Sequence, residues 1–165
     1  MKKAMNLNIR YANKKDLQEI IEIIKTSFHP NFVAAGEFYS VQQFVDPNYA
    51  AATGPYYSLK TFIKSMISDL EDKFDEPFEF FVAEINKEIV GFIILENNEG
   101  KFWICNIMVK KNCQGQNIGE KLFNFAIKNK NPIYLWVNVK NPAIKFWERL
   151  GFKKVLQEEL MIRKL

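Results

Sequence analysis

Residues 102–126 constrain the fold most, because they join a strand pattern to a helix pattern through a short polar loop. The mostly apolar run from Phe102 to Val109 predicts a β-strand. The apolar residues after the loop have helical spacing and therefore predict a helix with one buried face. That face is predicted to contain Ile118, Leu122, Phe125 and Ala126.

The loop contains Gly115, and Gly119 follows it at the start of the predicted helix. The first turn of a helix has free N–H groups and the positive end of the peptide dipoles, which together favour an anion. Small residues let the backbone approach a phosphate closely. The Gly-x-x-x-Gly spacing also suits an ordinary strand-to-helix connection, and neither Gly-Lys-Ser/Thr nor Gly-x-Gly-x-x-Gly is present here. Both interpretations of the loop stay open on this evidence.

Two segments together resemble a known family. Residues 114–119, Gln-Gly-Gln-Asn-Ile-Gly, resemble the Arg/Gln-x-x-Gly-x-Gly/Ala pyrophosphate loop of the GNAT superfamily of acyl-CoA-dependent N-acetyltransferases. Residues 141–152, Asn-Pro-Ala-Ile-Lys-Phe-Trp-Glu-Arg-Leu-Gly-Phe, are similar to that family's second signature, a short helix that closes on Gly-Phe. The strand entry at residues 106–109 also fits, and the order and separation of the segments match the family.

Three positions depart from the family pattern. Asn117 stands where the family usually has Gly, and Asn tolerates left-handed backbone angles better than other non-Gly residues. Trp147 stands where the family often has Tyr. Asn141 lies one residue closer to Trp147 than in the commonest family spacing.

The resemblance implies an α/β fold with a mixed, mostly antiparallel, curved central sheet and flanking helices, in the order β-α-α-β-β-β-α-β-α-β. The length of 165 residues suits one domain with its own core, so we expect residues 1–165 to form a single N-acetyltransferase domain. The predicted strands cover residues 7–11, 78–85, 88–96, 101–109 and 133–139, with one or two more within 152–165. The predicted helices cover residues 14–28, 58–74, 118–128 and 142–150.

Local signals support these boundaries. Asn13 is a predicted cap of the first helix, whose buried face is expected to hold Leu17, Ile20, Ile21 and Ile24. Between residues 30 and 57 the pattern is irregular and rich in aromatic residues. This segment shapes the acceptor site in the resembled family, but its aromatic residues are equally compatible with core packing.

The resemblance also implies a site for acetyl-CoA as co-substrate. The pantetheine arm would lie in the opening between the strand of Val109 and the strand of residues 133–139. The pyrophosphate would bind the loop amides, with Lys110, Lys111 or Lys121 near the outer phosphates. The implied cofactor-binding residues are Ile107, Met108, Val109, Gln114, Gly115, Gln116, Asn117, Ile118, Gly119, Glu120, Asn141 and Trp147.

The implied reaction is direct attack of a primary amine on the thioester. An alkylammonium group has a pKa of about 10.4, so a carboxylate or a water chain must take its proton first. The candidates are Glu84 and Glu96, with strand register deciding which one points inward, and Asn106, which would hold a relay water. A backbone N–H near Met108 would stabilise the oxyanion.

The acid that protonates the leaving thiolate is a separate question. An indole N–H only donates a hydrogen bond, so Trp147 cannot take the place of the family's Tyr in this step. Tyr134 is a candidate substitute. A thiol with a pKa of about 8.5 also leaves readily near neutral pH without an acid.

Composition excludes several other classes of function. The net charge of +4 comes without an arginine-rich block, which argues against nucleic acid as a partner, and no apolar run is long enough to span a membrane. One histidine and two separate cysteines (Cys105, Cys113) predict neither a metal site nor a disulfide framework, so we expect a cytoplasmic protein with reduced thiols.

The function expected from the resemblance is an acyltransferase, an N-acetyltransferase that acts on a small-molecule or peptide amine acceptor. The alternative is a non-catalytic acyl-CoA-binding sensor or interaction domain, which Trp147 and the lack of an obvious base favour. The acceptor and the choice between monomer and homodimer stay open.

Overall fold

The computed structural model describes residues 6–27, 67–68, 70, 74, 77–135, 137 and 143–154. Within these residues the chain forms five strands and three complete α-helices. The strands are β1 (Leu7–Tyr11), β2 (Phe78–Ile85), β3 (Glu88–Asn98), β4 (Lys101–Val109) and β5 (Ile133–Leu135). The helices are α1 (Leu17–Ser27), α2 (Ile118–Ala126) and α3 (Ile144–Arg149).

The strands form one open sheet in the order β1-β2-β3-β4-β5. The first four strands are antiparallel to their neighbours, whereas β5 is parallel to β4. A parallel neighbour needs a crossover connection, and α2 supplies it. The prediction of a mixed, mostly antiparallel α/β fold is confirmed.

Helices cover both faces of the sheet. On one face, α1 packs Ile20, Ile23 and Ile24 against the β3 residues Phe92 and Ile94. On the other face, α2 and α3 pack against the larger core cluster. Full burial of an aliphatic or aromatic side chain contributes about 1.5–3 kcal/mol, so both clusters stabilise the sheet substantially. We call these surfaces the α1 face and the α2 face.

At Gly91, β3 lies very close to β4 and α2. A Cβ atom on Gly91 would lie 2.9 Å from the carbonyl oxygen of Met108 and 3.2 Å from both Leu122 and Val109. Only glycine leaves room for this contact. The missing side chain leaves room for Leu122 of α2 and for the end of β4 beside β3.

Asn13 caps the helical segment that leads into α1, as predicted. Its side chain accepts a hydrogen bond from the Lys15 amide at 3.0 Å, and the Asp16 carboxylate accepts one from the Asn13 amide at 2.7 Å. This reciprocal arrangement is a capping box. A 3-10 turn at residues 14–16 precedes α1, where the sequence predicted a continuous helix.

The buried faces of α1 and α2 differ from the predictions by one residue each. In α1, Ile23 is buried and Leu17 is only partly buried. In α2, Phe123 is buried, whereas Phe125 is 43% exposed, so the prediction for Phe125 was wrong. Phe125 lies at the edge of the buried side of the helix α2, near β1. Its ring meets Phe81 edge-on, with the ring centroids 5.9 Å apart.

Several predicted boundaries also shift. β3 continues to Asn98, because Asn98 pairs with Lys101 and leaves only Glu99 and Gly100 in the turn. Both turn residues have positive φ, as a tight hairpin turn requires. α2 ends at Ala126 and α3 begins at Ile144, two residues inside the predicted limits in each case. β5 ends at Leu135, and Val137 lies outside it.

Some predictions lie outside the described residues. They concern the aromatic segment of residues 30–57, most of the predicted helix 58–74, the strand or strands expected within 155–165, and Asn141. Residues 67, 68 and 70 are helical, as predicted, and Leu70 is buried against the α1 face. Across the parts of the chain that the structure describes, every helix is too short or too polar to traverse a bilayer.

Candidate functional site

β4 has an edge that β5 covers over only part of its length. The paired residues are Phe102 with Ile133, Trp103 with Tyr134, and Ile104 with Leu135. From Ile107 to Val109, β4 has no strand partner on this edge among the residues that the structure describes. We call residues 107–109 the open edge of β4, and it lies where the sequence predicts two diverging strands.

A β-bulge begins at the point where β4 leaves β5. On β3, Ile94 pairs with Asn106 and Leu95 pairs with Ile104, so Cys105 is the extra residue on β4. An extra residue of this kind bends a strand and increases its twist. The bulge precedes the predicted cofactor residues 107–109 instead of lying among them.

Backbone directions along the open edge follow from the antiparallel register with β3. The Lys110 amide donates to the carbonyl oxygen of Val90 at 2.8 Å. Because such pairs alternate along an antiparallel ladder, Met108 also points its backbone groups toward β3. Ile107 and Val109 therefore present their N–H and C=O groups to the open edge, and the Met108 amide does not.

The loop between β4 and α2 is held by its own side chains. A 3-10 turn covers residues 111–113. The Gln114 side-chain amide donates to the Val109 carbonyl oxygen at 3.0 Å, and that of Gln116 donates to the Asn112 carbonyl oxygen at 3.4 Å. Both glutamines thus fix the loop shape through backbone contacts.

The last loop residue, Asn117, has left-handed backbone angles (φ 59°, ψ 18°), as its tolerance for them predicted. Gly115 also has a positive φ of 76°. The Asn117 side chain makes no capping hydrogen bond, so it does not occupy the first amides of α2. Residues 114–117 are exposed. The loop therefore presents backbone N–H groups at the positive end of α2, where an anion is stabilised.

Gly119 joins this loop to α3. A Cβ atom on Gly119 would lie 3.6 Å from the Phe146 ring and 3.9 Å from Val109. An alanine fits at these distances, whereas a larger side chain has to pass the Phe146 ring. The start of α2 is therefore packed against both α3 and the end of β4.

Trp147 lies in the core. It is 7% exposed, and its ring centroid lies 4.9 Å from that of Phe146 and 5.4 Å from that of Phe152. Phe123 of α2 meets the same ring edge-on at 6.2 Å. Core packing explains why a large aromatic residue stands at position 147. The predicted contact between Trp147 and the cofactor stays a prediction.

A polar and aromatic row crosses the α1 face beside the bulge. Glu96 on β3 pairs with Trp103 on β4, which pairs with Tyr134 on β5. The Trp103 and Tyr134 rings are stacked, with centroids 4.9 Å apart and planes 27° apart. The Cys105 sulfur lies 3.9 Å from a Glu96 carboxylate oxygen. We call Glu96, Trp103 and Tyr134 the cross-strand row.

Strand parity places Asn106 on the same face, because it pairs with Ile94 of the α1 face. The structure thus brings together three of the four predicted catalytic candidates, Glu96, Asn106 and Tyr134. All three are partly buried and lie near the end of the open edge.

Glu84 lies elsewhere and is held in a salt-bridge network. Its carboxylate accepts hydrogen bonds from Arg10 at 2.9 and 3.0 Å, and from Asn8 at 3.1 Å. Arg10 also binds Asp16 at 2.7 and 3.0 Å. Hydrogen bonds from Arg10 lower the pKa of both carboxyls and raise that of Arg10 itself. The structure does not bring Glu84 together with the cross-strand row.

The three lysines predicted near the phosphates differ in their surroundings. Lys110 binds Glu88 at 2.7 Å, beside the β2–β3 turn. Lys111 is exposed in the loop. Lys121 borders a shallow groove with Leu7 and Ile9. Of the three, Lys111 is thus the one that the loop itself presents.

Sequence reasoning overlooked Trp103. The signal was present in the hairpin, because a two-residue turn at Glu99 and Gly100 sets the register of β3 and β4. Counting back from that turn pairs Glu96 with Trp103, as observed. The strand limit predicted at Glu96 concealed this register.

A protein-family comparison matches part of the chain. Residues 76–154 match the family profile described as Acetyltransferase (GNAT) domain. This span contains β2 to α3, and therefore the open edge, the loop and the cross-strand row.

Curated relatives match the chain to different extents. An uncharacterized N-acetyltransferase from Methanocaldococcus jannaschii is 38% identical over 81 residues, which cover 45% of this chain and 52% of the relative. An N-alpha-acetyltransferase from Sulfurisphaera tokodaii is 26% identical over 93% of this chain and 84% of its own length. The chain thus spans about half of the length of the first relative, and 39% of two others.

A solved structure supports the same fold. The PaiA N-acetyltransferase from Thermoplasma acidophilum, in complex with coenzyme A, is similar with a TM-score of 0.59 and 23% identity. The similarity covers 90% of this chain and 91% of that protein. At this level of identity the likeness establishes the fold alone.

Proposed function

We propose that this chain, whose residues 76–154 match the GNAT acetyltransferase domain profile, is an N-acetyltransferase of that superfamily. It would transfer the acetyl group of acetyl-CoA to an amine acceptor. The observation that carries this proposal is the arrangement of the open edge of β4, which ends in a loop with exposed backbone amides at the start of α2. A thioester cofactor with a long arm and a pyrophosphate needs an extended backbone edge followed by an anion site.

The described residues fit acetyl-CoA. Ile107 and Val109 direct backbone groups to the open edge, where they would bind the amides of the pantetheine arm. The amides of Gly115, Gln116, Asn117, Ile118, Gly119 and Glu120 would hold the pyrophosphate. The Gln114 amide, also predicted there, donates to the Lys111 carbonyl oxygen at 3.5 Å. A Cβ on Gly115 would meet nothing within 4 Å, so the loop surface there is open to a ligand.

Acetyl-CoA supplies an activated thioester, whose C–S bond breaks as the amine nitrogen forms its amide bond. In our proposal Glu96 takes a proton from the acceptor ammonium, with Asn106 positioning a water between them. The Ile107 amide, which faces the open edge, donates a hydrogen bond to the developing oxyanion. Tyr134 donates a proton to the departing sulfur. Glu84 is left out, because Arg10 already occupies both of its oxygens.

The acceptor is proposed only as an amine, either of a small molecule or of a protein. The Sulfurisphaera tokodaii relative, named an N-alpha-acetyltransferase, supports a protein amino group. A cytoplasmic location and a monomeric or homodimeric state are kept as predictions from the sequence.

The test is release of thiol from acetyl-CoA with a panel of polyamines, amino sugars, aminoglycosides and N-terminal peptides, beside calorimetric titration of coenzyme A alone. We expect coenzyme A to bind and at least one acceptor class to turn over. Binding without any turnover would favour a non-catalytic acyl-CoA sensor. Absence of coenzyme A binding would overturn the proposal.

Two variants at Gly119 test the pyrophosphate site. Gly119→Glu adds a negative charge beside the loop amides and a side chain that meets Phe146, so we expect coenzyme A affinity to fall at least about tenfold. Gly119→Ala is the matched control, because its Cβ fits at 3.6 Å. Unchanged affinity in a folded Gly119→Glu variant would place the pyrophosphate elsewhere.

A further inference from the structure

Four glutamates lie on the hairpin strands β2 and β3, and three of them have a basic partner. Glu79 binds Lys130 at 3.1 Å, Glu84 binds Arg10 and Glu88 binds Lys110. Within the described part of the chain, Glu96 has no basic partner, and its recorded contact is the Cys105 sulfur at 3.9 Å. Glu96 is thus a partly buried carboxylate without a counter-ion from the described residues.

The surroundings of Glu96 suit a cation. Trp103, its neighbour across the strand, is partly buried and stacks on Tyr134. The face of an indole ring attracts a cation, and an adjacent carboxylate adds a direct charge interaction. An aromatic platform beside a carboxylate is the chemistry that recognises an alkylammonium group.

The position of the cross-strand row matches that of an acceptor. The apolar cluster of the α1 face reaches Ile94 on β3, and Glu96 is the next residue of that strand on the same face. Cys105, which contacts Glu96, is the bulged residue at which β4 leaves β5. A ligand bound on the cross-strand row therefore lies next to the end of the open edge that is nearest to β5.

We propose that the cross-strand row binds the ammonium group of the acceptor and that Trp103 is the specificity-determining residue. This inference rests on the proposed function and assigns residues to its acceptor subsite. Glu96 is the counter-ion of the ammonium before it takes the proton through the water that Asn106 positions. Trp103 and Tyr134 form the platform.

A direct binding test does not depend on turnover. Ligand-observed NMR titrations would compare n-pentylammonium with 1-pentanol, which has nearly the same shape and no charge. Titrations are run on the protein with and without coenzyme A. We expect the wild-type protein to bind the ammonium on the order of tenfold more tightly than the alcohol.

Three variants test which residues cause the preference for the ammonium over the alcohol. Glu96→Gln and Trp103→Leu should each reduce it at least about threefold, and Trp103→Phe should retain part of it because phenylalanine keeps an aromatic face. Glu99→Gln is the matched control, because it removes the same charge from the exposed turn three residues away. Retention of the full preference in both Glu96→Gln and Trp103→Leu would overturn the proposal.

Two further outcomes separate this inference from the proposed function. Loss of coenzyme A binding with an intact ammonium preference would overturn the acetyltransferase proposal and leave the cation site standing. Equal binding of ammonium and alcohol, or tighter binding of benzyl alcohol than of either, would overturn the cation site and leave the acetyltransferase proposal untouched. With an active acceptor, Trp103→Leu should raise KM about 2- to 30-fold and change kcat less.

Discussion

Glu84 and Glu96 lie on adjacent strands and on the same face of the sheet, yet their surroundings are opposite. Glu84 accepts three hydrogen bonds and shares Arg10 with Asp16. Glu96 contacts a cysteine sulfur and stands beside a stacked aromatic pair. Residue type and strand position are alike, so the neighbouring side chains account for the difference.

This difference separates a carboxylate that supports the fold from one that is available for chemistry. Arg10 lowers the pKa of Glu84 and joins β1 and β2 to the start of α1. A carboxylate in such a network has its lone pairs occupied and is a poor base. The Glu96 carboxylate can still accept hydrogen bonds, and it lies near the place where β4 and β5 separate.

The largest expected effect comes from exchanging the two carboxylates for amides. Glu96→Gln should lower kcat/KM about 10²- to 10⁴-fold, because the base is lost, and change the free energy of unfolding by less than about 0.5 kcal/mol. Glu84→Gln should do the reverse, with about 1–2 kcal/mol of lost stability and kcat/KM within about twofold. Steady-state kinetics and urea unfolding measure both. A catalytic defect in Glu84→Gln alone would invert our assignment.

Removing Arg10 tests whether the salt-bridge network around Glu84 stabilises the fold. Arg10→Met should lower the free energy of unfolding by about 1.5–3 kcal/mol, because it leaves Asp16 and Glu84 without their shared cation. The folded-state pKa of both carboxyls is lowered, so this stabilisation is present above about pH 4 and is lost as the pH falls below it. Urea unfolding at pH 7, 4 and 2.5 should show the difference between variant and wild type shrinking. A constant difference would mean that packing of the Arg10 stem accounts for the effect.

A change in the loop should weaken the cofactor and leave the cross-strand row unaltered. Asn117→Val places a β-branched residue at left-handed angles, which costs about 1–2 kcal/mol, so coenzyme A affinity should fall about 5- to 30-fold. Asn117→Gly adopts the same angles freely and should bind within about twofold of wild type. Calorimetric titration compares the two variants. Equal losses in both would show that the Asn117 side chain itself contacts the cofactor.

The smallest catalytic effect is expected at Trp147. Trp147→Tyr should leave kcat within about twofold, because the ring packs among phenylalanines and does not border the cross-strand row. The smaller ring should reduce stability by about 1–3 kcal/mol. A clear rise in kcat would show that this position reaches the departing thiolate after all.

Much of the fold was predictable because its signals are local. The limits of β1 and β4 and the Asn13 cap follow from alternation and capping chemistry over a few residues. The left-handed Asn117 follows from the residue type at a known loop position. The β2–β3 turn was likewise visible in the chain.

The rest depends on neighbours distant in sequence. Phe125 has the spacing of a buried residue, but the cover that α3 gives to Phe123 does not extend to the other margin of α2. Glu84 and Glu96 were equivalent candidates until the structure showed that Arg10, 74 residues from Glu84, binds one of them. The backbone direction at Met108 required the register with β3, which the bulge at Cys105 shifts by one residue.

Gly91 has a consequence for how this protein can change over generations. Its contact is with a carbonyl oxygen of the Met108 backbone, which no substitution elsewhere removes. The spacing between β3 and the end of β4 is therefore set by main chain against main chain at this point. Many side chains around the loop can therefore be substituted during evolution without altering that spacing. At position 91, almost every substitution of the glycine should be harmful.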